Sequence, residues 1–185
     1  GGSRDLTRNS DGAVQDRASF PIGVLKVAAV RAKGKGALNR FVARALSAAG
    51  WSGAGINLPF YMVGGTWRSL ARLQMHRSHY PLPLVQGYAM SAGVLPGLRG
   101  YLADAEKAEL RNVSGISGTR AGTLADGAAL LSALLKALGS DRAIASANGL
   151  REGLLFSALP APVRAEDPLL VAAREEGRRL GRFPE

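Results

Sequence analysis

Pro59-Phe60-Tyr61-Met62-Val63 runs straight into Gly64-Gly65-Thr66 and then into Trp67-Arg68-Ser69-Leu70-Ala71-Arg72-Leu73-Gln74-Met75. The first five residues are a short apolar run and read as a buried strand. The two glycines mark a tight turn, and Trp67 to about Met75 reads as a helix, so the whole segment is a βα unit. The same alternation recurs downstream. Gly127–Leu138 reads as a helix with Leu130, Leu131, Leu134, Leu135 and Leu138 on one stripe, closed by Gly139. Ala143–Ala147 reads as a strand, and Asn148-Gly149 turns into a helix over Leu150–Ala158. Between these units, residues 76–83 are irregular, with Pro81 and Pro83, and Leu84–Met90 reads as a short strand. Ser91 to about Asn112 is helical with an expected break at Pro96 and Gly97, and Val113–Ala125 is a loop rich in Gly, Ser and Thr.

Upstream, Leu38, Phe41, Val42, Ala45, Leu46 and Ala49 give residues 37–49 a helical apolar face, with Arg40 and Arg44 opposite. Residues 31–36 form a Lys/Gly loop, and residues 1–30 read as β structure. Asp5–Arg8 is a short strand, Asn9-Ser10-Asp11-Gly12 is a turn, Ala13–Phe20 is the returning strand, and Val24–Val30 is a further apolar segment. Near the C-terminus, Pro160 and Pro162 mark a boundary, and Asp167-Pro168 is an N-cap followed by an N1 proline, a strong helix start. Strands alternating with helices predict an α/β architecture whose sheet is covered by helices.

The chain has 185 residues and a formal net charge of +10, from 24 Lys+Arg against 14 Asp+Glu. That length suits one ordinary domain or one lobe of a larger one. The 46% hydrophobic and 6% aromatic content rules out a disordered tail and predicts a core of Ala, Leu and Val. With no cysteine there is no thiol nucleophile, Cys-ligated zinc or disulfide, which is compatible with a reducing compartment. No apolar run approaches the roughly 18 residues of a membrane span. The Gly-Gly-Ser start lacks the methionine, basic region and apolar region of a signal peptide, so the chain is expected to begin partway through a larger protein. The positive surplus, mostly arginine, suits polyanions, because the planar guanidinium grips phosphate with two prongs. A plain solvated basic surface is the other reading. The basic residues lack the concentrated patch and interleaved aromatics of a nucleic-acid binder, which argues against nucleic acid.

Three glycine turns are candidates for anion binding: Gly1-Gly2-Ser3, Gly64-Gly65-Thr66, and Ser114-Gly115 through Ser117-Gly118. Glycines let backbone N–H groups approach an anion, and a helix N-terminus adds partial positive charge. Gly64-Gly65-Thr66 has the best setting, with Thr66 placed to cap the helix or donate to a phosphate oxygen. A plain tight turn with an N-cap is the alternative for the same residues. Arg120, in the Gly/Ser/Thr loop before a helix, is placed for an anion clamp. Asp5 would reach Mg²⁺ through water, although a lone carboxylate is otherwise simply solvated. His76 and His79 make a poor metal site, having no nearby carboxylate. Arg151-Glu152 reads as an ion pair opening a helix. No G-x-S-x-G elbow accompanies the serines.

Val63-Gly64-Gly65-Thr66-Trp67-Arg68-Ser69-Leu70-Ala71-Arg72-Leu73-Gln74-Met75, with His79-Tyr80-Pro81-Leu82 and Gln86-Gly87-Tyr88-Ala89-Met90, closely resembles the Ppx/GppA phosphatase family of exopolyphosphatases and guanosine pentaphosphate phosphohydrolases. The resemblance continues through Ser117-Gly118-Thr119-Arg120-Ala121 and Gly127-Ala128. It also covers Ser146-Ala147-Asn148-Gly149-Leu150-Arg151-Glu152-Gly153-Leu154-Leu155-Phe156 and Asp167-Pro168-Leu169-Leu170. Gly1-Gly2-Ser3-Arg4-Asp5 is similar to the end of the family's D-x-G-G-G-S-x-E phosphate loop, with Asp5 at the Glu position. Ser19-Phe20-Pro21-Ile22-Gly23 is similar to its S-x-P-x-G segment. Two departures stand out: Gly122 where the family usually has Asp, and Leu124-Ala125-Asp126-Gly127-Ala128 where it has L-P-x-G-A.

The resemblance implies the second lobe of an actin, sugar-kinase and ribonuclease H-like two-lobed fold, a mixed sheet covered by helices. Residues 1–160 would form that lobe, and 161–185 a C-terminal helix and the start of a linker to a helical region. The implied activity is hydrolysis of a terminal phosphoanhydride of polyphosphate or guanosine pentaphosphate, with release of orthophosphate. Gly1, Gly2, Ser3, Gly64, Gly65, Thr66 and Arg120 would bind phosphate, and Asp5 would handle Mg²⁺. The general base is expected upstream of Gly1, which makes this piece inactive alone. A non-catalytic module that holds polyphosphate or guanosine tetraphosphate is the competing expectation. The resemblance also implies a cytoplasmic protein, and an exposed inter-lobe face would let the chain pair as a homodimer.

Overall fold

A computed structural model describes residues 4–181. In chain order the elements are β1 (Arg4–Ser10), β2 (Ala13–Phe20), α1 (Val24–Arg31), α2 (Ala37–Ala48), β3 (Phe60–Val63), α3 (Gly65–Arg77), β4 (Ala89–Ser91), α4 (Leu95–Asp104), α5 (Lys107–Arg111), α6 (Gly118–Ala121), α7 (Leu124–Leu138), β5 (Arg142–Ser146), α8 (Leu150–Ser157), α9 (Ala161–Ala165) and α10 (Pro168–Leu180). The chain divides into two compact units, one ending at Ala147 and one beginning at Asn148.

In the first unit β1 and β2 form an antiparallel hairpin joined by Asp11 and Gly12, with φ of 51° and 76°. Positive φ at both loop positions is the type I′ pattern, which matches the twist of the flanking strands. The second sheet has the order β3-β5-β4, with β5 central, parallel to β3 and antiparallel to β4. Its inner face is set by alternation. Met62 pairs with Ala145 and Met90 with Ala143, and all four are buried. Tyr61 and Val63, one residue out of phase, are exposed on the other face.

The core is built around α7, which packs against α1, α2, α3 and α4. Leu124, Leu130, Leu131, Leu134 and Leu135 are all buried, so this helix is apolar nearly all round, as a central helix must be. Small side chains at Ala128, Ala129 and Ala133 let the neighbouring helices approach it.

Three local expectations are corrected. Val24–Arg31 is helix, not β structure. A short apolar run is ambiguous in period, and here burial falls on Val24 and Val27, three residues apart, while Lys26 and Ala28 stay exposed. Pro96 begins α4 instead of breaking a helix, because a proline in the first turn removes an N–H that has no helical partner there. The 113–125 loop contains the single turn α6, and α7 starts at Leu124, before Gly127.

In the second unit α10 begins as its sequence predicts, with Asp167 Oδ1 accepting from the Leu169 N–H at 2.8 Å. Glu152 Oε2 accepts from the Gly149 N–H at 2.7 Å, so this carboxylate closes the first turn of α8. No residue of α8, α9 or α10 is buried.

Candidate functional site

Strand β3 ends at Val63, and Gly64 turns the chain with φ 131° and ψ 163°, a conformation that only glycine adopts without strain. Helix α3 then starts at Gly65 with no side-chain cap and no acidic residue in its first turn. The first N–H groups of a helix have no intrahelical acceptor, and the helix dipole places partial positive charge beside them. Thr66 does not cap them from outside. It lies within the helix, and its Cγ2 methyl packs against Gly127 of α7, 2.7 Å from where a Cβ on that glycine would stand.

Arg120 lies over this turn. Its Nε and Nη2 are 2.9 Å, and its Cζ 3.0 Å, from the position a Cβ on Gly65 would occupy. The guanidinium therefore rests in a notch that the missing side chain leaves open. Arg120 is half-buried, and Thr123 Oγ1 donates to its carbonyl at 3.0 Å, tying down the α6 turn that carries it.

A second guanidinium comes from β1. Arg4 stacks over the indole of Trp67, with Cζ 4.7 Å from the ring centroid. Its Nε is buried without a hydrogen-bond partner, no carboxylate among the described residues pairs with it, and burial pushes the guanidinium below the usual arginine range. Trp67 Cδ1 in turn lies 3.7 Å from the place of a Gly64 Cβ. Arg4 and Arg120 thus stand at the same helical turn, one reaching it through Trp67 and one through Gly65.

The end of β5 is fixed to this turn by two polar contacts. Arg68 Nη1 donates to the Ala147 carbonyl at 2.7 Å, and Gln86 Oε1 accepts from the Ala147 N–H at 2.7 Å.

Of the expected site residues, Gly64, Gly65, Thr66 and Arg120 are brought together. Gly1, Gly2 and Ser3 lie outside the described residues. Asp5 is exposed on the face of β1 opposite to Arg4 and Leu6, since neighbouring side chains on a strand alternate. Among the described residues no group of three or more His, Asp and Glu could hold a metal ion. Asp5 alone does not make a site for Mg²⁺, and no step below passes through one. His76 and His79 are exposed at the far end of α3. There Arg77 stacks on Tyr101 at 4.5 Å, and the hydrogen bond from Tyr101 to Glu109 holds the phenol above its ordinary range. Arg4 and Arg68 were missed. The motif position of Arg4 is a variable one, and nothing local in a strand shows that its side chain meets a helix some sixty residues later. Two surface hollows lie elsewhere, on the hairpin (Thr7, Val14, Arg17) and between α1, α4 and α7 (Arg31, Pro96, Arg99), so the turn is an open ledge and not a cavity.

The family model of the Ppx/GppA phosphatase family matches residues 1–161. The chain belongs to this family. A Ppx/GppA family member from Aquifex aeolicus has the same fold, with TM-score 0.71 and 21% identity, over 90% of this chain and 55% of that one. An exopolyphosphatase from Cytophaga hutchinsonii superposes with TM-score 0.67 and 19% identity, over 85% of this chain and 54% of the other. Retrograde regulation protein 2 of Saccharomyces cerevisiae is 32% identical over 118 residues, which are 60% of this chain and 20% of that protein. The chain thus spans a little over half of these solved relatives and a fifth of the yeast protein. The mixed α/β fold is the actin-like one of the Ppx/GppA structures. Among the described residues no helix is long and apolar enough to cross a membrane.

Proposed function

We propose that the first turn of α3, flanked by Arg120 and Arg4, holds a phosphoryl group of inorganic polyphosphate or of a guanosine penta- or tetraphosphate. In the parent protein this grip serves hydrolysis of the terminal phosphoanhydride, with release of orthophosphate. The observation that carries the reading is the Arg120 guanidinium seated over Gly65 at an uncapped, acid-free helix start. Backbone N–H groups there suit phosphate oxygens, and the arginine fork adds charge and direction. Fixed donors of this kind stabilise the negative charge that gathers on a transferring phosphoryl group. Gly64, Gly65, Thr66, Arg4 and Arg120 all bind and orient, and none of them is a base. The proton-abstracting group must therefore come from other residues.

The test is titration of the chain with tripolyphosphate. Arg120→Ala is expected to weaken binding by about tenfold or more, the cost of one charge-assisted contact. Unchanged affinity in that variant overturns the reading. Orthophosphate release by the whole parent protein then separates a hydrolase from a module that only binds.

A further inference from the structure

From Arg17 through Ala103 the chain contains no Asp or Glu, while eleven Lys and Arg fall in that stretch. Helix α3 lies inside it. The segment facing α3, residues 110–125, is also free of acids, and the acids at its two ends are engaged elsewhere. Glu109 accepts from the Tyr101 hydroxyl, and Asp126 pairs with Arg31.

Three guanidinia lie across glycine backbone along this surface. Arg120 rests on Gly65. Arg111 rests on Gly118, its Nε 3.0 Å from the place of a Cβ there. Arg72 rests on Gly115, its Cζ and Nη1 2.8 Å from the corresponding place, and Nη1 donates to the Gly115 carbonyl at 3.2 Å. Gly65 and Arg72 are seven residues apart on α3, two turns along one face and roughly 10 Å in rise. Both face the segment that carries Arg111 and Arg120. Arginines set along one line with no carboxylate among them repel one another, and a long polyanion laid over them would relieve that repulsion.

We propose that Arg72 and Arg111 form a second anion subsite, taking phosphates of a linear polyphosphate beyond the group held at the first turn of α3. This rests on the function proposed above and names the substrate form: an extended chain of phosphates instead of a short one. Each guanidinium offers a planar donor fork to successive phosphate oxygens.

The experiment compares tripolyphosphate with long-chain polyphosphate in calorimetric titrations of the full chain. The unaltered protein is expected to bind the long chain about tenfold more tightly or better. Arg72→Gln with Arg111→Gln should remove that advantage and leave tripolyphosphate affinity unchanged. Lysine at both positions should restore part of the advantage, showing that the fold is intact. Lys26→Gln with Arg44→Gln removes the same charge from α1 and α2 and should preserve the advantage. The proposal is overturned if the Arg72/Arg111 variant keeps the preference for long chains, if it loses both ligands equally, or if the Lys26/Arg44 control loses the preference as fully. Tripolyphosphate binding that ignores Arg120, beside long-chain binding that still needs Arg72 and Arg111, overturns the cradle reading and leaves the subsite standing.

Discussion

A methyl group at Gly65 is the smallest change that separates binding from folding at this site. Gly65 has no positive φ, so alanine suits its helical backbone, but the new Cβ would stand 2.9 Å from Arg120 Nε and must push the guanidinium aside. Gly65→Ala should therefore leave the melting temperature unchanged or slightly raised and weaken tripolyphosphate binding about tenfold. A variant that binds as the parent does shows that the seat of Arg120 is irrelevant. Gly64→Ala is the complementary case: there is space for the methyl, 3.7 Å from Trp67, but φ is 131°. It should cost about 1–3 kcal/mol of stability by chemical denaturation, the usual toll of a side chain forced into that region. At this scale the sequence revealed the glycines and Arg120, because a strand, a turn and a helix in succession fix a local geometry. The place of Thr66 depends on how α7 packs, and that of Arg4 on how a distant hairpin docks. Neither contact has a local signal.

Packing of α3 against α7 positions the ledge as an element. Both helices were legible, since an apolar stripe recurring at 3.6 residues is a strong pattern, and the leucines of Gly127–Leu138 give it clearly. Their close approach was not, because it depends on Gly127, where a Cβ would stand 2.7 Å from Thr66 Cγ2 and 3.3 Å from Leu70 Cδ1. Thr66 is β-branched and stiff at χ1, so it yields poorly. Gly127→Val should destabilise the protein by about 1–3 kcal/mol, the ordinary cost of overpacking. It should also weaken tripolyphosphate binding through the displaced first turn. Stability and affinity both unchanged would mean that the two helices do not meet this closely. The run at Val24–Val30 was misread for lack of length, since seven apolar residues fit a strand or two helical turns. The helices α8–α10 were read correctly from their caps, yet they bury nothing. Their amides should exchange hydrogen orders of magnitude faster than those of α7, whose leucines form the centre of the core. Equal protection in a native-state exchange experiment would contradict this.

At the scale of the whole molecule the net charge of +10 was plain from composition, but its distribution was not. Asp5, Asp11 and Asp16 all sit on the β1–β2 hairpin, and the next acid in the chain is Asp104. The fold therefore separates an acid-bearing hairpin from a basic body of helices. Within that body only a few cations are neutralised: Arg31 pairs with Asp126, and among the described residues the other ion pair, Arg179 with Glu176, belongs to the second unit. Unpaired surface arginines carry condensed or loosely held anions, and a polyphosphate that displaces them releases those ions to solution. The logarithm of its affinity should then fall in proportion to the logarithm of salt concentration, as it does for other linear polyanions. Exposed charges are screened over about 8 Å at physiological ionic strength, comparable to the spacing along α3, so the contacts at the far end of the track should fade first. Long-chain polyphosphate should accordingly show a steeper salt slope than tripolyphosphate, and Arg72→Gln with Arg111→Gln should bring the two slopes together. Parallel slopes for the two ligands in the unaltered protein would mean that both meet the same few charges, with the rest of the basic surface taking no part in binding.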